Sequence, residues 1–206
     1  MGYYLIGAGG HGMVIIDIIL SSGGEVLGLF DKDISKGRLL DIPLYYWGDH
    51  KMGKDDFLII SIGNNKIRKR LAVENRNELF GKAIHPSSNV SNYASVDIGT
   101  VIMSGVSINA ATSIGKHTIV NTNACIDHEC IIKDFVHISP NATLCGNVTI
   151  GEGAHIGAGA ILIPGVKVGK WATIGAGAVI INDVPDLATV VGNPGKVIKI
   201  NKNEWS

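Results

Sequence analysis

The chain has 206 residues, with 18 Lys and Arg balanced by 18 Asp and Glu; a net charge of zero excludes a surface built to coat nucleic acid. No apolar run reaches the length that crosses a bilayer, the N-terminus has no basic n-region of a signal peptide, and Cys125, Cys130 and Cys145 show no CxxC spacing. Those features argue against membrane insertion, a disulfide framework and a cysteine metal site, and make the reducing cytoplasm the expected location.

In chain order, Tyr3-Tyr4-Leu5-Ile6 reads as a strand and leads into Gly7-Ala8-Gly9-Gly10-His11-Gly12. Met13 to Leu20 then reads as a helix, stopped by Ser21-Ser22-Gly23-Gly24. A second strand, Glu25 to Phe30, ends at Asp31-Lys32-Asp33; a later one, Phe57 to Ile62, runs into Gly63-Asn64-Asn65, and a helix follows over roughly 66–79. Strands alternating with helices predict a parallel sheet with crossover helices. Gly7-x-Gly9-x-x-Gly12 sits between strand and helix, and Asp31 lies nineteen residues beyond the last glycine, the context of the dinucleotide fingerprint. Glycines let the backbone approach phosphate oxygens, and the helix N-terminus offers free amides. Only about one mononucleotide half fits before residue 83, so a nucleotide-diphosphate site is expected here in preference to NAD, with a ligand-free tight turn as the alternative. Gly63, Asn64 and Asn65 are expected to line the same carboxyl-end crevice.

From Ile84 to Ile180 every sixth residue is aliphatic, seventeen positions without a slip. Helices repeat at 3.6 and strands at 2; a period of six predicts short strands joined by corners, each side pointing one aliphatic side chain into a narrow shaft, as in a β-helix. The residue two before each such position is usually small, as at Ala124, Ala142, Ala154, Ala160, Ala172 and Ala178, which suits a tight interior. Gly115, Gly151, Gly157, Gly169 and Gly175 directly follow an aliphatic position, where the chain is expected to bend. Two domains are expected, 1–82 and 83–206.

Chemistry on a β-helix must come from outward-facing residues. His137 and His155 are eighteen residues apart, one full coil of three sides, and should stack; the absence of a His-x4-His pair argues against a catalytic metal. His128 lies between Asp127 and Glu129, and a carboxylate beside a histidine can fix its tautomer and raise its basicity for general-base work. A solvated histidine in a polar corner is the alternative.

The run Asn121-Thr122-Asn123-Ala124-Cys125-Ile126-Asp127-His128-Glu129-Cys130, with Phe135-Val136-His137-Ile138-Ser139 and Cys145-Gly146-Asn147-Val148, resembles the sugar O/N-acyltransferases of the left-handed β-helix superfamily. The glycine loop and Ser61-Ile62-Gly63-Asn64-Asn65-Lys66-Ile67-Arg68 carry the likeness into the N-terminal domain, and it is nearest to acetyltransferases of UDP-4-amino-4,6-dideoxy sugars. The resemblance implies a Rossmann-like α/β half domain that binds the nucleotide sugar, followed by a left-handed parallel β-helix that binds acetyl-CoA. His128 would be the base, Glu129 its orienting acid, Gly146 the amide facing the thioester carbonyl and Asn121 an active-site asparagine near a subunit interface. His137 would lie by the thioester, and Gly146, Ala158, Gly159, Ala176, Gly177 and Lys196 along the coenzyme, with Gly192-Asn193-Pro194-Gly195-Lys196 departing from the family's usual exit by Gly195 in place of alanine. Gly9, Gly10, His11 and Gly12 would hold phosphates, Asp31 and Lys32 base and ribose, and Gly63, Asn64 and Asn65 the rest of the substrate. Such enzymes act as homotrimers without a metal, and direct transfer is expected. Sialic acid-type O-acetylation, GDP-perosamine N-acetylation and a nucleotide-binding scaffold without turnover are the alternatives.

Overall fold

The structure, a computed structural model, describes residues 2–202. It opens with a five-stranded sheet built from β1 (Tyr3–Ile6), β2 (Val26–Phe30), β3 (Arg38–Leu39), β4 (Ile42–Tyr45) and β5 (Phe57–Ile60) in the order β3-β4-β2-β1-β5, all parallel except the β3–β4 pair. Helix α1 (Gly10–Ser21) packs Ile15, Ile16, Ile18 and Ile19 into the core with Leu5, Leu29 and Ile59. It starts three residues before the expected Met13, inside the glycine loop, with Gly9 as N-cap. Glycine at position 12 is dictated by packing, since a Cβ there would lie 2.7 Å from the Gly7 carbonyl oxygen. Helix α2 (Asn65–Glu74) begins where the Asn64 side chain accepts from the Ile67 amide at 3.0 Å. It stops before the expected residue 79, because the Asn75 side chain turns back onto the Leu71 carbonyl at 2.8 Å. The β3–β4 hairpin is absent from the sequence reading; its strands are too short to show a period, and Pro43 interrupts the second.

From β6 (Ala83–Ile84) to β22 (Val179–Ile180) the chain makes seventeen two-residue strands on three faces of a left-handed parallel β-helix. Face I carries Ala83–Ile84, Val101–Ile102, Ile119–Val120, His137–Ile138, His155–Ile156 and Thr173–Ile174, face II runs from Asn89–Val90 to Val179–Ile180, and face III from Ser95–Val96 to Lys167–Val168. A hairpin of β23 (Ala188–Val191) and β24 (Lys196–Ile200) extends face I. The period-six aliphatics fill the shaft from Ile102 onward, with the small residues two positions earlier equally buried. The bend, however, lies three residues after the aliphatic positions from Val96 to Ile174. Gly99, Gly105, Ala111, His117, Asn123, Glu129, Phe135, Asn141, Asn147, Gly153, Gly159, Gly165, Trp171 and Gly177 all have positive φ. The glycines expected to make the bend serve instead to let coils approach: a Cβ on Gly151 would lie 2.6 Å from the Lys170 amide, and one on Gly157 2.5 Å from the Ala176 amide.

The two units meet along face I and the corner between faces III and I. Ile15 and Ile19 of α1 share a core cluster with Ala83, Val101, Met103 and Ile119. From α2, Asn65 donates to the Gly153 and Ala154 carbonyls, Lys69 pairs with Glu152 at 2.6 Å and sits over the Trp171 ring, and Arg68 reaches the carbonyls of His117 and Phe135. No helix among the described residues is long and apolar enough to cross a membrane.

Candidate active site

His128 and Glu129 form the turn between faces II and III, with Glu129 at φ 59°. Fourteen successive corners, from Gly99 to Gly177, carry such a residue, so the left-handed backbone here belongs to the architecture and is not strain special to this corner. The two flanking acids divide their work. Asp127 accepts from Asn109 Nδ2 at 2.7 Å and from the His128 amide at 2.8 Å, bonds that lower its carboxyl pKa from its ordinary value and fix the turn. Glu129 Oε2 lies 3.0 Å from His128 Nδ1. A carboxylate can only accept, so Nδ1 carries the hydrogen and Nε2 presents a lone pair outward. One coil on, Gly146 lies under the ring: a Cβ there would come within 2.5 Å of Cε1 and 2.6 Å of Nε2. The Gly146 amide makes no hydrogen bond within the described chain. Both His128 and Glu129 side chains are more than half exposed.

Face I holds histidines in the opposite state. His137 and His155 are register partners with ring centroids 4.9 Å apart. Asn121 Nδ2 donates to His137 Nε2 at 3.1 Å, so the His137 hydrogen sits on Nδ1, which has no partner among the described residues. Burial pushes the His137 pKa down to about 3, with His155, Arg68 and His11 adding to it and the Gly63 backbone acting the other way without forming a bond of ordinary geometry. His155, bonded to Ser139 Oγ at 3.0 Å, is lowered by burial and Arg68. His11, at the N-terminus of α1, is lowered to about 4 for the same two reasons.

Most of the residues expected to bind substrate line three openings, two of which share Asp31; Gly10, His11 and Gly12 line none of the three. Gly63, Asn64, Asn65, His137 and His155 line a cavity of about 520 Å³ together with Trp171 and Thr173. Asp31 and Lys32 line one of about 350 Å³ with Phe30, Tyr46, Trp47, Leu71 and Glu74. Ala8 and Gly9 border a smaller one of about 170 Å³. Asp31 also holds the glycine loop, accepting from the Ala8 amide at 2.6 Å. A Cβ on Gly9 or Gly10 would meet nothing within 4 Å, so open space stands above the helix N-terminus, where an anion is favoured. Ala158, Gly159, Ala176 and Gly177 stack as exposed residues of the corner between faces I and II, and Lys196 is exposed on β24.

His128 and Gly146 are thus not brought to these openings. Their corner lies across the shaft from face I, on which the N-terminal unit sits. Sequence reasoning assigned no role to Arg68, Trp47, Trp171 or Thr173; only Arg68 left a signal, as the last residue of the Ser61 to Arg68 stretch. Among the described residues no group of three or more His, Cys, Asp or Glu side chains is arranged to hold a metal ion.

Residues 4–74 match the family described as the PglD N-terminal domain, and residues 129–163 and 147–182 match the bacterial transferase hexapeptide family. Among solved structures, the chain is 32% identical to a single-residue variant of perosamine N-acetyltransferase from Caulobacter crescentus in complex with CoA and GDP-perosamine, over 97% of each chain with a TM-score of 0.90. It is 34% identical to the acetyltransferase domain of PglB from Neisseria gonorrhoeae in complex with acetyl coenzyme A, over 96% of this chain and 98% of that one, with a TM-score of 0.91. WeeI from Acinetobacter baumannii, 24% identical over 96% of this chain and 100% of that one, shares the fold with a TM-score of 0.88.

Proposed function

Because the chain belongs to the hexapeptide-repeat family of sugar N-acetyltransferases and is an acyltransferase, we propose that it transfers the acetyl group of acetyl-CoA to the amine of a nucleotide-linked amino-dideoxy sugar. The carrier is UDP, as for a UDP-4-amino-4,6-dideoxy-GlcNAc type acceptor, or GDP, as in the GDP-perosamine bound by the Caulobacter relative. The observation that carries this reading is the His128 ring seated on Gly146 with Glu129 on Nδ1, which leaves Nε2 as an accessible base.

The amine nitrogen attacks the thioester carbonyl, the C–N bond forms, Nε2 of His128 takes the amine proton, and the C–S bond breaks to release the coenzyme thiol, which receives that proton. General-base assistance of this kind is worth about 10²–10⁴-fold, and the Gly146 amide as an oxyanion donor roughly 10²–10³-fold. Asn121 and His137 orient the reacting groups from face I. The acceptor's phosphates rest on Gly9, Gly10, His11 and Gly12, its nucleoside on Asp31 and Lys32, and its sugar reaches the cavity at Gly63, Asn64 and Asn65. The coenzyme runs along Ala158, Gly159, Ala176, Gly177 and Lys196.

His128 and the acceptor openings lie on opposite sides of one shaft, which supports reading the enzyme as a homotrimer in which one chain's corner between faces II and III meets the next chain's face I. This supplies proximity, which contributes the entropic part of the rate. The test is thiol release from acetyl-CoA with UDP-4-amino-4,6-dideoxy-GlcNAc, GDP-perosamine and sialic acid in turn. Turnover with one amino-sugar nucleotide supports the reading and names the carrier; turnover with sialic acid alone replaces it with O-acetylation, and silence from protein that binds acetyl-CoA removes the acceptor assignment.

A further inference from the structure

Arg68 is 1% exposed, and among the described residues no carboxylate pairs with it. Its guanidinium is satisfied by neutral oxygens from both units. Nε donates to the His117 carbonyl at 2.7 Å, and Nη1 to the Ile62 and Gly63 carbonyls at 3.0 and 3.2 Å. Nη2 donates to Asn65 Oδ1 at 2.8 Å and to the Phe135 and Val136 carbonyls at 2.9 and 3.3 Å. Three of these acceptors belong to the segment from the end of β5 into α2, and three to successive coils at the corner between faces III and I. Only a planar fork reaches such a set at once. Burying an unpaired charge is costly, and domain docking alone does not require it, because the neighbouring Lys69 already bolts α2 to Glu152 and Trp171 at the surface.

We propose that Arg68 is a positioning residue for acetyl transfer: by clamping the 62–65 segment to the carbonyls of His117, Phe135 and Val136, it fixes the acceptor cavity at Gly63 and Asn64 in register with His137 on face I. The proposal rests on the acyl-transfer reading above. The same fixed charge faces four imidazoles. Burial depresses His11, His117, His137 and His155, and Arg68 adds to the effect in each case. Lys116 acts with it on His117 while Asp97 opposes; at His137 the other contributors are His155 and His11, with the Gly63 backbone opposing. His137 therefore remains neutral, with its Nδ1 buried, and it places no added charge opposite the amine.

The test is Arg68→Lys, which keeps the charge and loses the fork, compared with Lys69→Ala, which loses only the surface bolt. With the amino-sugar nucleotide of the panel that releases thiol, Arg68→Lys should raise the acceptor KM about tenfold, the equivalent of one forfeited buried hydrogen bond, and leave the acetyl-CoA KM unchanged. Lys69→Ala should lower Tm and change neither KM. An unchanged acceptor KM in Arg68→Lys, or both KM values rising together, overturns the proposal. Histidine NMR titration of the ligand-free wild-type protein needs neither variant nor acceptor. His137 should stay neutral to below pH 5, and a midpoint near its ordinary 6.5 overturns the proposal even if thiol release fails for every acceptor.

Discussion

Face I and the corner between faces II and III lie on the same shaft, and each presents histidine, yet in opposite states. At the corner, His128 is solvent-accessible, hydrogen-bonded through Nδ1 to Glu129, and free at Nε2. On face I, at its corner with face III and in the unit docked there, His117 is buried and His11 and His137 are half-buried; all three are held neutral, and each keeps one ring nitrogen without a partner among the described residues. The difference comes first from burial, which disfavours a protonated ring, and then from the Arg68 charge, which opposes one, so the fold separates an exposed histidine with a lone pair facing solvent from histidines able only to orient.

The largest effect should come from breaking the exposed half. His128→Ala is expected to lower kcat at least ~10²-fold with little change in acetyl-CoA affinity; near-wild-type turnover would remove His128 from the mechanism. Gly146→Ala places a methyl group 2.5 Å from the His128 ring carbon and should lower kcat by roughly tenfold or more through displacement of the base. A normal Tm with normal kcat would show that the ring tolerates the shift.

The buried half should be broken by acid. His11 and His117, at about 4, and His137, at about 3, lie below the ordinary 6.5 of an exposed histidine. The unfolded chain therefore binds these protons first, and the stability they contribute is complete above pH 6.5 and lost as pH falls toward 4. At pH 5 the loss is on the order of 2 kcal/mol per histidine. Thermal unfolding at pH 7.5 and pH 5 measures it, and equal Tm values would contradict the buried, neutral assignment. The smallest effect is His117→Phe. That ring stacks on Phe135 at 5.3 Å and meets Phe80 edge-on, its Nδ1 has no partner to lose, and its left-handed backbone conformation is already adopted by Phe135. Near pH 7.5 this variant should match wild type, and its Tm should fall less between pH 7.5 and 5; an undiminished fall would take His117 out of the acid response.

The candidate site was legible in part. His128 with Glu129 could be singled out because the acid is adjacent in sequence and a corner forces both side chains outward. Arg68 could not, because its six acceptors come from residues 62–65, 117 and 135–136, and no spacing along the chain encodes that convergence. The glycines after each aliphatic position were legible as special and misread in cause: their need comes from the coil eighteen residues on, not from their own φ.

By itself the sequence determined the period-six shaft, the sheet-and-helix opening and the glycine loop, because each is a local or strictly periodic constraint that repeats along the chain. Only the tertiary structure decided which corner carries His128, which face the N-terminal unit covers, and which histidines are stripped of water beside Arg68. Burial and Coulomb interaction depend on distance in space, and at the junction of these two units that distance joins residues far apart in sequence.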